Sequence, residues 1–512
     1  MFTPELKAKC DAEVQFILSE MERHHRLALS EASFAERFGA GHAALGEFTA
    51  TVTYKPTGRE FVVGREALGR FRIIALSVLE PRTDYADWNI GELADQLRAT
   101  FLDYVFTEGL EDAATIVEPW IEAAVRFVRS RHRRHVHYIP CVALQIGEQE
   151  SYSFGPITFS RKSAFFEKFF DSMMRYDRAR ERLSVRAQRN AAPAMQWCWK
   201  DRPESTARVP EERFKEFTKE TDWVAQVPVC RCAHSVSENR AEAVLRLAMA
   251  SITLLLDGTE GAGLRLVDDP FVPRHTNKLS SPGKGFVRPS SSWTFGGPKA
   301  ENGWQGHLES VAQPILATVY RIFDKILAGD VLSHGEQIAI RAITWYADAV
   351  RDTNPETRLI KCATAVECIV LPDRFDTTAT FVIRGSLLAQ QPGTTMMECA
   401  VIAKRLYERR SDVAHGNLDS LLAARNESTR EALEFARNAI LQFLALCAWP
   451  QMQSPTRSGT RQDFLDLYRF LEGGRHAEIQ QIKSTFNFKG WKVVPAPDPQ
   501  PRGIVSTPSA ES

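Results

Sequence analysis

The sequence predicts an α+β protein, with a mixed α/β region in its first half and an all-α bundle in its second. Three observations predict it. Short alternating or apolar runs between turn residues occur before residue 160. Helical periodicity then fills almost all of 306–450, and a stretch dense in Gly, Pro and Ser, 269–305, separates the two regimes.

FTATVTY (48–54) alternates, KPTG (55–58) has turn chemistry, and REFVV (59–63) follows, so a hairpin is expected. FRIIALSVL (71–79) reads as another strand. Helical patterns run over 90–106 and 112–130. HYIPCVALQIG and SFGPITFS predict a further strand pair within 137–160, and 162–183 and 238–256 predict helices, the latter stopped by Asp257-Gly258. Residues 1–268 are therefore expected to form one mixed α/β region that senses or selects, with 269–305 as linker or long loop.

From 306 to 450 the breaks fall at Gly329, Asn354-Pro355, Pro372, Pro392-Gly393 and Gly416, which leaves five or six helices joined by short turns. Residues 451–494 predict a helix over 461–484 and then an edge strand in FNFKGWKVV. The Pro-rich tail, 495–512, has the composition of disorder.

Composition bounds the function. The chain has 512 residues, 44% hydrophobic and 25% charged, with zero formal net charge. That is an ordinary globular balance and argues against a chain-wide polycation, while leaving room for local basic patches. Nine cysteines without framework spacing suggest reduced thiols. The N-terminus has no apolar stretch behind a basic start, and the longest apolar run, Ala248 to Leu256, is too short to span a bilayer. The expected location is cytoplasmic, away from membranes.

The informative segment is RLYERRSDVAHGNL, 405–418. On a helix stepping about 100° per residue, Tyr407, Arg410, Ser411, Ala414 and His415 fall on one stripe, with the small Ala414 leaving space at its centre. Gly416 suits a helix stop, so His415 is expected in the last turn, where the carbonyl end favours imidazolium. A permanent cation beside a titratable ring matches what RNA phosphodiester cleavage requires. Histidine can take the proton of the 2′-hydroxyl or give one to the 5′-oxygen, a contribution worth roughly 10² to 10⁴ in rate. Arginine can hold the phosphate through two donors and offset charge in the transition state. The scheme calls for no metal and no cofactor.

Spacing alone is weak, since Arg37 and His42 repeat it and Arg129 and His135 come within one residue of it. Arg409 also competes as the cation, but it projects about another 100° round the helix. Asp412 is placed either to orient the imidazole or to stand as a solvated carboxylate. Glu367 is the only ionisable side chain in an almost apolar run, and burial requires a cationic partner. Arg384 is the first candidate, which would make the pair structural; otherwise Glu367 reaches Arg410 or His415 and tunes the site.

Context adds weight to the pair. YERRSDVAHG (407–416), LIKCATAVECIVL (359–371), IRGSLLA (383–389) and EALEFARNAILQFLAL (431–446) together resemble the HEPN superfamily, specifically its Apea-like family, over 336–448. The resemblance implies a helical HEPN bundle over 306–450. The family's arginine, four to six intervening residues and histidine fall on Arg410 and His415, with Ser411 as the polar residue that often follows the arginine. It further implies a metal-independent endoribonuclease whose composite site forms across a homodimer. Antiviral or abortive-infection activity, with a phage-derived trigger, is implied by the same resemblance. Its alternatives are a dimerising module that holds nucleic acid or a nucleotide without chemistry, and a toxin neutralised by an antitoxin.

RNA also needs a basic surface. Arg126, Arg129, Arg131, Arg133 and Arg134 form one candidate, and Lys404, Arg405 and Arg409 another; either can equally be a solvated face. Cys230, Cys232 and His234 read as ordinary residues, because no second ligand cluster follows at zinc-finger spacing. His476 and Glu478 lack the Pro-Cys-x-x-Cys partner of a deaminase, and there is no P-loop, His-Glu-x-x-His or Gly-x-Ser-x-Gly.

Overall fold

The computed structural model describes residues 3–29, 49–54, 59–108, 113–168, 221–256, 260–266, 276–280, 288–292, 298–370, 377–415, 427–447 and 459–488. The chain divides into two compact units. The first takes 1–136, 228–241 and 327–329, and the second takes the rest. The fold is mainly helical with a small sheet, as an α+β composition requires.

The first unit opens with α1 (Pro4–Leu29) and the expected hairpin, β1 (Thr49–Tyr54) and β2 (Arg59–Gly64), paired antiparallel from Thr49↔Gly64 to Tyr54↔Arg59. The turn 55–58 lies outside the described residues. Residues 71–79 are not a strand. They belong to α2 (Arg65–Leu79), whose buried Ala67, Phe71, Ile74, Ala75 and Val78 recur at three- and four-residue steps. The apolar run was long enough to satisfy either period, and packing selects the helix.

Two expected helices follow as α3 (Ile90–Glu108) and α4 (Ala113–Arg131). The four helices share one core. At its centre Phe71, Phe101 and Trp120 meet edge to face at 5.3 to 6.4 Å, and the Trp120 indole donates to Thr100 at 3.1 Å. Aromatic contacts of this kind add about 0.5–1.5 kcal/mol each beyond area burial.

The sheet has strand order β5-β6-β7-β3-β8. Its members are β3 (Arg133–Val142), β5 (Ser151–Phe154), β6 (Ile157–Arg161), β7 (Trp223–Cys232) and β8 (Arg265–Leu266). The expected pair over 137–160 is thus corrected. SFGPITFS makes its own hairpin, β5 with β6, and β7 stands between that hairpin and β3. The hairpin turns at Gly155, whose φ of 58° favours glycine. Residues 162–168 begin the expected helix, and the remainder of it lies outside the described residues. Next comes α5 (His234–Leu255).

The stretch 269–305 is more than linker. It holds the antiparallel pair β9 (Thr276–Ser280) and β10 (Arg288–Ser292). It also holds β11 (Lys299–Ala300), which pairs parallel with β4 (Gln145–Ile146). The polar TNKLS and RPSSS carry no alternation, so backbone pairing left no compositional trace.

The helical region contains α6 (Trp304–Val311), α7 (Gln313–Ala328), α8 (His334–Arg351), α9 (Pro355–Val370), α10 (Thr377–Ala389), α11 (Met396–Ala414) and α12 (Glu427–Leu446). The junctions match the punctuation: Gly329 at φ 80° after α7 and Gly393 at φ 90° before α11. Ser333 and Glu336 cap α8 reciprocally. Buried Glu336 also accepts from Lys325 at 2.7 Å and Arg321 at 3.1 Å, tying α7 to the start of α8. α8 packs on α9, α10 on α11, and α12 against α8, α9 and α10.

The helix expected over 461–484 is two, α13 (Arg461–Gly473) and α14 (His476–Phe486), split at Gly473-Gly474. The expected edge strand beyond residue 488 and the tail 495–512 lie outside the described residues. Among the described residues no helix is long and apolar enough to cross a membrane.

Candidate functional site

The motif sits on α11, which starts at a Thr395–Glu398 capping box. Met396, Cys399, Ala400, Ala403 and Leu406 are its buried face. Continuing that three-to-four step gives Tyr407 and then Arg410, so the stripe turns polar only in its last turns. The half-buried Tyr407 rests on Phe381 of α10, ring centres 5.1 Å apart.

Arg410 reaches α9, where its Nη2 lies 3.4 Å from Glu367 Oε2. This is the choice left open by the sequence. Glu367 does not pair with Arg384, which sits behind α9 instead, its Nε 2.9 Å from Glu472 Oε1 and its Nη1 3.2 Å from Val370 O. The two arginines serve opposite ends of the problem. Arg384 is buried and fixed, whereas Arg410 is 36% exposed beside a Glu367 that is 18% exposed. A guanidinium has five donors, and among the described residues Arg410 has this one long ionic contact.

Burial pushes the Glu367 carboxyl up, and Arg410 draws it part of the way back. A carboxylate raised on folding costs stability as pH rises through its folded pKa, and costs nothing below its unfolded value. Glu367→Gln is therefore expected to unfold at a higher temperature than the parent at pH 8, with the difference closing towards pH 4. A lower midpoint at pH 8 would mean that the ion pair outweighs the desolvation. Thermal scans across that range decide it.

His415 is the residue that closes α11 rather than a member of its last turn. Its φ of −95° and ψ of 1° lie outside the helical well, and its N–H donates to Ser411 O at 3.0 Å. The side chain is exposed. Gly416, the expected stop, lies outside the described residues. Ser411 and Asp412 are half-buried, and among the described residues no ion pair joins Asp412 to His415.

The basic residues beside the motif are largely neutralised. Lys404 pairs with Glu408 and stands over the Phe486 ring, and Arg405 meets Glu431 at 2.8 Å. Arg409 alone of these three has no acidic partner among the described residues. A groove of about 630 Å³, lined by Leu387, Leu388, Gln442, Leu446, Phe470 and Arg475 among others, includes neither Arg410 nor His415.

In the first unit α4 ends at Arg131, His132 is buried, and β3 begins at Arg133. Arg126, Arg129, Arg131, Arg133 and Arg134 are all exposed. They are joined by Arg231, which the sequence reading missed. Its Nε donates to His132 O at 2.9 Å and its Nη2 to Arg129 O at 3.3 Å. Arg231 lies about a hundred residues from these partners, and no local pattern marks such a pairing. The His234 ring lies 5.1 Å from that of His135, and among the described residues no group of His, Cys, Asp and Glu could hold a metal ion.

No protein-family model, curated protein or solved structure matches the chain.

Proposed function

We propose that this protein is a HEPN-type endoribonuclease acting through Arg410 and His415. One observation carries the reading: a partly exposed guanidinium and an exposed imidazole share the carboxyl end of one helix, five positions and about 7.5 Å of axial rise apart. Arg410 would grip the scissile phosphate with donors that Glu367 does not occupy. His415 would move protons, so that the 2′-oxygen attacks phosphorus, its proton leaves to a base, and the departing 5′-oxygen gains one. The products are a 2′,3′-cyclic phosphate and a 5′-hydroxyl. Tyr407 and Ser411 line the approach, and Glu367 holds Arg410 in position.

The separation of the two groups around the helix suits a composite site across a homodimer, each protomer completing the other's. Antiviral or abortive-infection action, with a phage-derived trigger or an antitoxin as partner, follows from the family resemblance alone. A non-catalytic nucleic-acid- or nucleotide-binding module is the second reading. It is favoured by the fact that Arg410 already has a partner.

Purified protein incubated with tRNA, rRNA and mRNA in EDTA is expected to cut at least one of them, leaving cyclic-phosphate ends. It should elute as a dimer. Intact RNA with and without divalent ions would defeat the nuclease reading, as would cleavage that requires the metal.

A further inference from the structure

The junction between α4 and β3 is built as a rigid platform for cations. Trp88 stacks edge-on against buried His132, ring centres 4.7 Å apart, and the Arg82 guanidinium lies 5.0 Å over the Trp88 ring. Burial holds the His132 imidazole below its usual range. Asp84 is already gripped by Arg82 through Nε at 2.8 Å and Nη2 at 3.3 Å. It is also the one carboxylate within ion-pair distance of the surrounding arginines among the described residues, at 3.7 Å from Arg129. Arg126, Arg131, Arg133, Arg134 and Arg231 have no acidic partner among those residues. On the last turns of α4 Phe127 is 48% exposed, with Arg131 lying 5.8 Å from its ring centre.

Such a surface should not arise as a solvated face by default. An exposed phenylalanine gains nothing from water, and of the six arginines only Arg129 meets a carboxylate among the described residues, one already engaged by Arg82. We infer that this junction is a docking surface for single-stranded RNA, with phosphates on the arginines and a base stacked on Phe127. Charge complementarity selects a polyanion. The cations select which one: the six are all arginines, whose planar forks match phosphate oxygens and stack on bases. The aromatic selects a single strand, because a base must be unpaired to offer its face. The surface uses neither Arg410 nor His415, and only the choice of RNA among single strands rests on the cleavage reading.

The test measures anisotropy of a short fluorescent oligouridylate on full-length protein carrying His415→Ala, so that cutting cannot interfere. The logarithm of affinity should fall with the logarithm of salt at a slope of roughly −3, four to five phosphates each contributing about −0.7. Arg133→Glu with Arg134→Glu should weaken binding about tenfold or more and flatten the slope by about 1.4. Phe127→Ala should cost about tenfold through lost stacking. Arg65→Glu is the control, at the far end of α2, about 21 Å of helix from its last residue; it should stay within twofold. The inference fails if the arginine variant binds like the parent, if Arg65→Glu loses as much, if a duplex of equal phosphate count binds as tightly, or if phosphatidylserine vesicles bind and RNA does not. Loss of binding here with cleavage intact in the His415 protein, or the reverse, separates this surface from the catalytic proposal.

Discussion

Alanine at position 415 is expected to cut the rate of RNA cleavage by about 10² to 10⁴, the range removed with a positioned general acid or base. RNA affinity should stay within a few-fold, because an imidazole adds little to a phosphate grip made by guanidinium groups. The variant should also fold. The side chain is exposed, and the bond that closes α11 comes from the His415 backbone N–H to Ser411 O, which alanine retains. Exposed substitutions of this kind usually move stability by less than about 0.5 kcal/mol. Arg410→Ala should lose a comparable factor, and Arg410→Lys should recover only part of it, since an ammonium lacks the fork. A His415→Ala protein as active as the parent, measured under single-turnover conditions, would end the catalytic assignment.

The second large effect falls on stability. Arg384→Ala should destabilise the bundle by about 3–5 kcal/mol, the cost of stranding one member of a buried ion pair. Arg384 and Glu472 are 7% and 4% exposed, so neither can turn to solvent. The same guanidinium donates to the Val370 carbonyl at the end of α9 and lies 4.7 Å over the Tyr468 ring. One truncation therefore takes a cation from a buried carboxylate and a donor from a helix terminus. Replacing both charges, Arg384→Met with Glu472→Leu, should restore most of the loss. Urea unfolding followed by circular dichroism measures both variants. An Arg384→Ala midpoint unchanged from the parent would show that the pair does not hold the helices together.

That pair also shows where reading from sequence stops. The sequence demanded a cation for Glu367 and offered Arg384 or Arg410, but periodicity describes one helix at a time. Which arginine arrives depends on how α9, α10 and α11 cross, and that is decided by packing. Elements with strong local signals were legible: the 49–64 hairpin, α3, α4, and the helices from α7 to α12 with their glycine and proline breaks. FRIIALSVL was misread because nine residues with few polar members satisfy two periods at once. The β9–β10 pair was missed for the opposite reason, its ladder being formed by backbones under polar side chains. At the candidate site the residues and their helix were legible, whereas the Glu367 contact was not.

The first compact unit is not finished where its main segment ends. Residues 228–241 and 327–329 belong to it, although the first 136 residues precede them by a long detour. A ribosome adding about 5–20 residues per second takes roughly 5 to 20 s to go from residue 136 to residue 228, and about twice that to reach 327. During that interval the nascent N-terminal segment must wait without the strand end and helix start that complete it. Gene truncations placed anywhere before residue 329 would leave the unit incomplete, so halves of this protein should be prepared by rejoining segments rather than by cutting the chain once.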